Sequence, residues 1–166
     1  MNMGLRALLF ASVLAVMSPP AFAQAASAEH GAKIYQRCAA CHLPNGQGVP
    51  GAFPALAGRV SAAAANDAGR DYLVMTVVAG LMGEIEVDGR KIRGVMPAQA
   101  GLTDADIAAV LNHSIALPAP GAPSAKPPKA FTAEEVAAVK ARHQNATPNA
   151  VHALRLDAFP AAAVEK

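Results

Sequence analysis

Tryptophan is absent from the chain, and other aromatics are few: two Tyr and five Phe in 166 residues. A core built from this stock is mostly aliphatic, with few large side chains to fill it. Cysteine is scarce as well. Only Cys38 and Cys41 occur, which excludes a scaffold stapled by several disulfides and any four-cysteine metal site. Neither sign of charge dominates, with 14 basic against 12 acidic residues. That balance excludes the strong basic excess of a nucleic-acid binder. No apolar run is long enough for a comfortable membrane span.

The two cysteines stand together, in Cys38-Ala39-Ala40-Cys41-His42. C-x-x-C-H is the attachment signature of a c-type haem. Two thiols three positions apart on a helical turn can each form a thioether with one haem vinyl group, and the adjacent imidazole reaches the iron as its proximal ligand. A C-x-x-C pair alone has other readings: a thiol–disulfide centre, a structural disulfide, or half of a zinc site. The zinc reading needs two more ligands, and no second C-x-x-C or H-x₃₋₅-H follows.

The N-terminus points to export. Residues 1–23 read as a secretory signal peptide: Arg6 gives the positive region, Ala7–Val16 the apolar one, and Ala21-Phe22-Ala23 the small-residue cleavage site. Retention as an N-terminal anchor is the alternative. Haem attachment through thioethers usually takes place outside the cytoplasm, so leader and motif agree.

Three parts follow. The first, residues 28–117, is a compact domain. Ser27 is expected to cap a helix over Ala28–Arg37, with Gly31, Ile34, Tyr35 and Cys38 on one face. Pro44 to Gly58 is rich in Gly and Pro and reads as an irregular loop packed on the proximal face of the haem. Arg70–Ala79 reads as a helix, although its β-branched run leaves a strand open. Ile85-Glu86-Val87 and Lys91-Ile92-Arg93 flank Asp88-Gly89-Arg90, a hairpin signal. Thr103 opens a last helix whose stripe is Ile107, Val110, Leu111, Ser114 and Ile115. The second part, 118–130, is a linker with five prolines counted from Pro118 to Pro128. The third, 131–166, is a helical extension, with a capping box at Thr132 and an N-cap and Pro at Thr147-Pro148. Its helices must dock on the haem domain, on each other or on a partner, and a partner is the expectation.

His42 leaves the sixth iron position open. A thioether suits electron transfer, because soft sulfur favours the reduced iron. Met75 sits mid-helix and reads as core. Met82 lies in a Gly-flanked turn and competes. Met96 lies between Gly94 and Pro97 on an extended loop, and Pro97 biases it away from helical geometry. Met96 is the candidate ligand. His30, His113, His143 and His152 read as surface or partly buried residues.

At these residues the chain resembles the class I cytochrome c family, the small monohaem electron carriers. The resemblance rests on Gly31-Ala32-Lys33-Ile34-Tyr35 before the Cys38–His42 motif. It continues through Gly46-Gln47-Gly48, Phe53-Pro54-Ala55-Leu56-Ala57-Gly58, Gly94-Val95-Met96-Pro97 and Leu102-Thr103-Asp104-Ala105-Asp106-Ile107. It implies an all-α haem fold, here with a small β-hairpin and a C-terminal helical extension, in which first and last helices cross with Gly31 and Tyr35 near the Ile107–Ile115 stripe. It implies one haem c on Cys38 and Cys41, axial ligands His42 and Met96, and Pro54 on the proximal side. With no Trp available, Arg59 is the candidate partner for the haem carboxylates. The segment Glu84-Ile85-Glu86-Val87-Asp88-Gly89 is similar to cytochrome subunits that accompany periplasmic or membrane dehydrogenases and oxidases.

The expected function is a periplasmic one-electron carrier of the respiratory chain, not an enzyme, shuttling between a dehydrogenase or respiratory donor and an oxidase or other acceptor. Lys33, Arg37, Arg59, Arg90, Lys91 and Arg93 are a candidate basic rim for an acidic redox partner. No nucleic acid is expected, and a membrane only through an uncleaved leader or a membrane-bound partner. The competing classes are a haem enzyme or sensor with a ligandable, peroxidatic iron, and a thiol–disulfide oxidoreductase.

Overall fold

The computed structural model describes residues 21–119 and 127–159; the expected leader up to residue 20, residues 120–126 of the linker and 160–166 of the extension lie outside them. Six helices and one hairpin run in the order α1 (Ala21–His42), α2 (Arg59–Ala63), α3 (Asp67–Ala79), β1 (Leu81–Val87), β2 (Arg90–Met96), α4 (Asp104–Ile115), α5 (Ala133–Arg142) and α6 (Pro148–Ala158). The fold is mostly helical, with one two-stranded antiparallel sheet. No helix among the described residues is long and apolar enough to cross a membrane.

Helix α1 starts earlier and ends later than the Ala28–Arg37 expected. Its alanine-rich start offers nothing to stop a helix, and the turn continues through Cys38-Ala39-Ala40-Cys41-His42. Leu43 stops it by entering the left-handed region at φ 65°, a strained conformation for a branched side chain. Tyr35 Oη donates to the Leu43 carbonyl at 3.1 Å and steadies that turn. Helices α1 and α4 cross as the resemblance implies. Gly31 lies so close to α4 that a Cβ there would meet the Ala109 carbonyl oxygen at 2.3 Å, and the Tyr35 ring lies 4.9 Å from His113. At the other end of the crossing, Thr103 and Asp106 complete the reciprocal capping box of α4.

Asn66 caps α3, its side chain accepting from the Gly69 amide, which starts this helix three residues before Arg70. Helix α2 was not anticipated: Gly58, at φ 73°, turns the loop into a five-residue helix, Arg59–Ala63. The hairpin is longer than expected, with seven residues per strand and a two-residue turn, Asp88-Gly89, both at positive φ. That is the geometry whose twist matches the flanking strands. Register pairs Leu81 with Met96, Gly83 with Gly94, Ile85 with Ile92 and Val87 with Arg90. Leu81, Ile85, Val87 and Ile92 are buried, so this parity faces the core.

The extension does not wait for an outside partner. Val136, Val139 and Val151 have no exposed surface and belong to the same apolar cluster as Val74, Met75 and Leu111. Two polar clamps fix it. Asn112 on α4 exchanges hydrogen bonds with the Phe131 backbone at 3.0 and 2.7 Å. Arg70 on α3, only 7 % exposed, donates to Glu135 at 2.5 and 2.7 Å and to the Lys129 carbonyl at 2.8 Å, with its guanidinium 3.8 Å above the Phe131 ring. Each short helix alone buries too little apolar surface to hold its shape. Docked on α3 and α4, the pair completes a core short of large side chains.

Candidate functional site

One cavity of about 280 Å³ runs between the end of α1, the loop after it, α3 and the hairpin. Cys38, Cys41, His42 and Met96 all line it. The continuation of α1 through the motif brings the first two together: residues three apart on a helix share a face. No disulfide joins the two cysteines, of which Cys38 is partly buried and Cys41 exposed.

His42, the last residue of α1, is buried, and its Nδ1 lies 2.8 Å from the Pro54 carbonyl oxygen. A carbonyl only accepts, so Nδ1 carries the proton and Nε2 keeps its lone pair. Burial lowers the His42 pKa, and the bond to Pro54 pulls back only partly. The side chain is therefore a neutral imidazole with one ring nitrogen oriented and the other open to a metal, the arrangement that second-shell carbonyls give metal-bound histidines. The Gly- and Pro-rich loop makes this possible. Gly48 donates its amide to the His42 carbonyl at 2.9 Å. It sits at φ 64°, with the Phe53 carbonyl oxygen 2.4 Å from where a Cβ would be, so only glycine lets the loop fold back and present Pro54.

Met96 is the last residue of β2 rather than part of a free loop. Its parity matches Ile92 and Gly94, so the strand register turns it inward, opposite Leu81. Met82 falls on the opposite parity, pairs with Val95 and is 40 % exposed. Met75 is buried in the core at 2 % exposure and does not line the cavity. The remaining histidines have other occupations. His30 pairs with Asp106, His143 with Asp71, and His152 with the Glu84 carbonyl, while the His113 ring packs at a tilt against Tyr35.

Most of the wall is aliphatic, with Val60, Leu73, Leu81, Ile85 and Ile92 among its residues. Thr76 Oγ1 is buried there with no hydrogen-bond partner among the described residues. An apolar cavity inside a small protein, with paired thiols, an oriented neutral imidazole, a thioether and one orphaned hydroxyl, fits a large apolar macrocycle with a metal at its centre. Burial pushes the Cys38 thiol up, opposite to the lowering that activates redox cysteines.

Sequence reasoning did not anticipate four other residues of the wall: Tyr72 and Thr76, one turn apart on α3, and Arg155 and Phe159 from the extension. The i, i+4 spacing of the first two was readable on a helix. Nothing local in the sequence connects residues 155 and 159 to a motif at 38–42. Arg59, the candidate carboxylate partner, also lines the cavity and pairs with Asp88 at the hairpin turn.

A family model described as cytochrome c matches residues 28–113. Cytochrome c-552 of Thermus thermophilus is 53 % identical over 125 residues, spanning 75 % of this chain and 93 % of that protein. A second protein of the same name, from a defined strain of the same organism, is 53 % identical over 125 residues, 75 % of this chain and 82 % of its own. Motif, cavity and relatives converge: the chain belongs to the class I cytochrome c family of electron carriers, and its cofactor is one covalently attached haem c.

Proposed function

We propose that this protein is an exported, periplasmic carrier with thioether bonds at Cys38 and Cys41 and axial ligands His42 and Met96. In this reading it moves single electrons between a dehydrogenase or other respiratory donor and an oxidase or other acceptor. The observation that carries the ligand assignment is that these four side chains, and no other methionine or histidine among the described residues, line one cavity. The haem supplies the couple, with Fe(III) taking one electron and Fe(II) releasing it. The chain does the rest. The Pro54 carbonyl holds the His42 ring in one tautomer and orientation, the strand register holds the Met96 thioether inward, and the aliphatic wall keeps water from the metal.

The signal-like N-terminus supports export, as does thioether chemistry at Cys38 and Cys41. The basic rim is weaker than the six residues suggest, because Arg59 pairs with Asp88 while Lys91 and Arg93 share Glu84. Lys33, Arg37 and Arg90 remain as exposed cations without a carboxylate among the described residues. They are the part of the rim free to meet an acidic partner.

Absorption spectroscopy of the oxidised holoprotein tests the ligand set. Wild type and Met82→Leu should show the sulfur–iron charge-transfer band, and Met96→Ala should lose it. A wild type without the band refutes Met96 as ligand and favours a ligandable iron, and an M96A protein that keeps it refutes Met96 in favour of another methionine.

A further inference from the structure

Helix α6 lies along β1 and closes that edge of the hairpin. His152 Nε2 donates to the Glu84 carbonyl at 2.7 Å, and one helical turn on, a terminal nitrogen of Arg155 donates to the Glu86 carbonyl at 2.7 Å. Those carbonyls point away from β2. In an antiparallel ladder, residue pairs that exchange hydrogen bonds alternate with pairs whose N–H and C=O groups face outward. Glu84 pairs with Arg93 and Glu86 with Lys91, so Lys91 and Arg93 turn their backbone groups to the far side of β2. Val95, paired with Met82, continues the same alternation. No helix of the described residues lies along that side. The amides and carbonyls of these three residues make no hydrogen bond among the described residues. One edge of the sheet is closed and the other is open.

The open edge has a chemical character. Lys91, Arg93 and Val95 share the solvent face of β2, opposite in parity to buried Ile92. The Lys91 side chain is 68 % exposed and that of Arg93 82 %, and Val95 is exposed beside Met82. The carboxylate that answers both cations, on Glu84, stands on β1, as does Glu86 opposite Lys91. From the open side the row reads cation, cation, apolar. A strand added there sets its own side chains directly opposite these three, where unlike charges stabilise and like charges destabilise. A second copy of β2 is a poor occupant on that ground. Laid antiparallel about Arg93 it sets guanidinium against guanidinium, and laid parallel in register it sets each cation against itself.

We propose that the free edge of β2 is a docking edge for an extended, acidic segment of a partner protein, which joins the hairpin as a third strand. The segment's backbone pairs with the outward amides and carbonyls of Lys91, Arg93 and Val95. Carboxylates at alternate positions meet Lys91 and Arg93, and an apolar side chain two residues on covers Val95. Gly94, Val95 and Met96 also line the cavity, so the added strand runs past the wall of the haem site.

The experiment is NMR titration with amide hydrogen exchange on the reduced holoprotein at low salt. The probe is a synthetic peptide, Thr-Glu-Thr-Glu-Thr-Val-Thr, blocked at both ends. Bound peptide should slow exchange at the Lys91, Arg93 and Val95 amides by about tenfold, and a peptide with Lys in place of Glu should leave them unchanged. Arg93→Gln should weaken binding several-fold. Lys91→Gln removes a charge, whereas Lys91→Pro removes that charge and an outward donor without breaking a ladder bond, so K91P should bind more weakly than K91Q. Equal affinities for the two, or binding that leaves exchange at the three amides unchanged, overturns strand addition. Absence of binding at millimolar peptide overturns the docking edge altogether. Slow exchange at these amides in the free protein also overturns it: protection that fades on dilution assigns the edge to a second copy, and protection that persists assigns it to another segment of this chain. Should K91P not fold, exchange in wild type carries the test alone.

Discussion

Truncating Val151 to alanine tests whether the extension and the haem domain are one cooperative unit. Val151 sits on α6, has no exposed surface and belongs to the cluster that includes Leu73, Met75 and Leu111. Valine to alanine removes two methylene equivalents, about 1.6 kcal/mol of transfer free energy at about 0.8 each. Incomplete collapse around the hole brings the total to about 2–3 kcal/mol. For a chain of this size each kcal/mol moves Tm by about 2–4 °C, so V151A should melt about 5–10 °C lower. The assay is unfolding of the oxidised holoprotein followed in parallel by haem absorbance and far-ultraviolet circular dichroism. Both probes should shift together, because the wall that α6 completes is also the haem wall. Leu156→Ala, on the same helix but 80 % exposed, should change stability by less than about 0.5 kcal/mol. A V151A protein whose haem transition stays at the wild-type midpoint while the helical signal melts early would refute a shared core.

Two further perturbations read other parts of the molecule. Gly31→Ala places a Cβ 2.3 Å from the Ala109 carbonyl oxygen, and backbone cannot swing aside as a side chain can. The α1–α4 crossing must open, at about 3 kcal/mol or more, measured by denaturant unfolding. Asp106→Asn addresses acid stability. Bonds from the Thr103 amide and hydroxyl, and then from His30, hold the Asp106 carboxyl down at about 2 against an ordinary 3.8. A depressed carboxylate stabilises the fold fully above its unfolded value and loses that contribution as pH falls through its folded value. Wild type should lose stability from about pH 4 toward pH 2, and D106N should flatten that limb. An unchanged acid limb in D106N would show that the capping box does not set it.

Local chemistry was legible in the sequence because it is written in neighbouring residues. C-x-x-C-H, the Asp88-Gly89 turn, the Thr103, Thr132 and Thr147 caps and the α4 stripe each depend on residues within a turn or two. The boundaries that failed did so for equally local reasons. Helix α1 runs through its motif because nothing stops it until Leu43 turns left-handed, and α2 is too short to show a periodicity. The fate of the extension was not legible, since its valines reveal only that they need a surface, not which one.

By itself the sequence determined a haem-attachment signature, Cys38-Ala39-Ala40-Cys41-His42, and a mostly aliphatic core short of large side chains. Those follow from residue type and spacing alone. Only the tertiary structure set Met82 and Met96 on opposite faces of the hairpin, because a strand's two faces are assigned by register, and register is a pairing between segments. Only the tertiary structure placed the Pro54 carbonyl on His42 Nδ1 and brought Arg155 to the cavity. These are contacts between residues far apart in the chain, and long-range packing rather than local preference decides them.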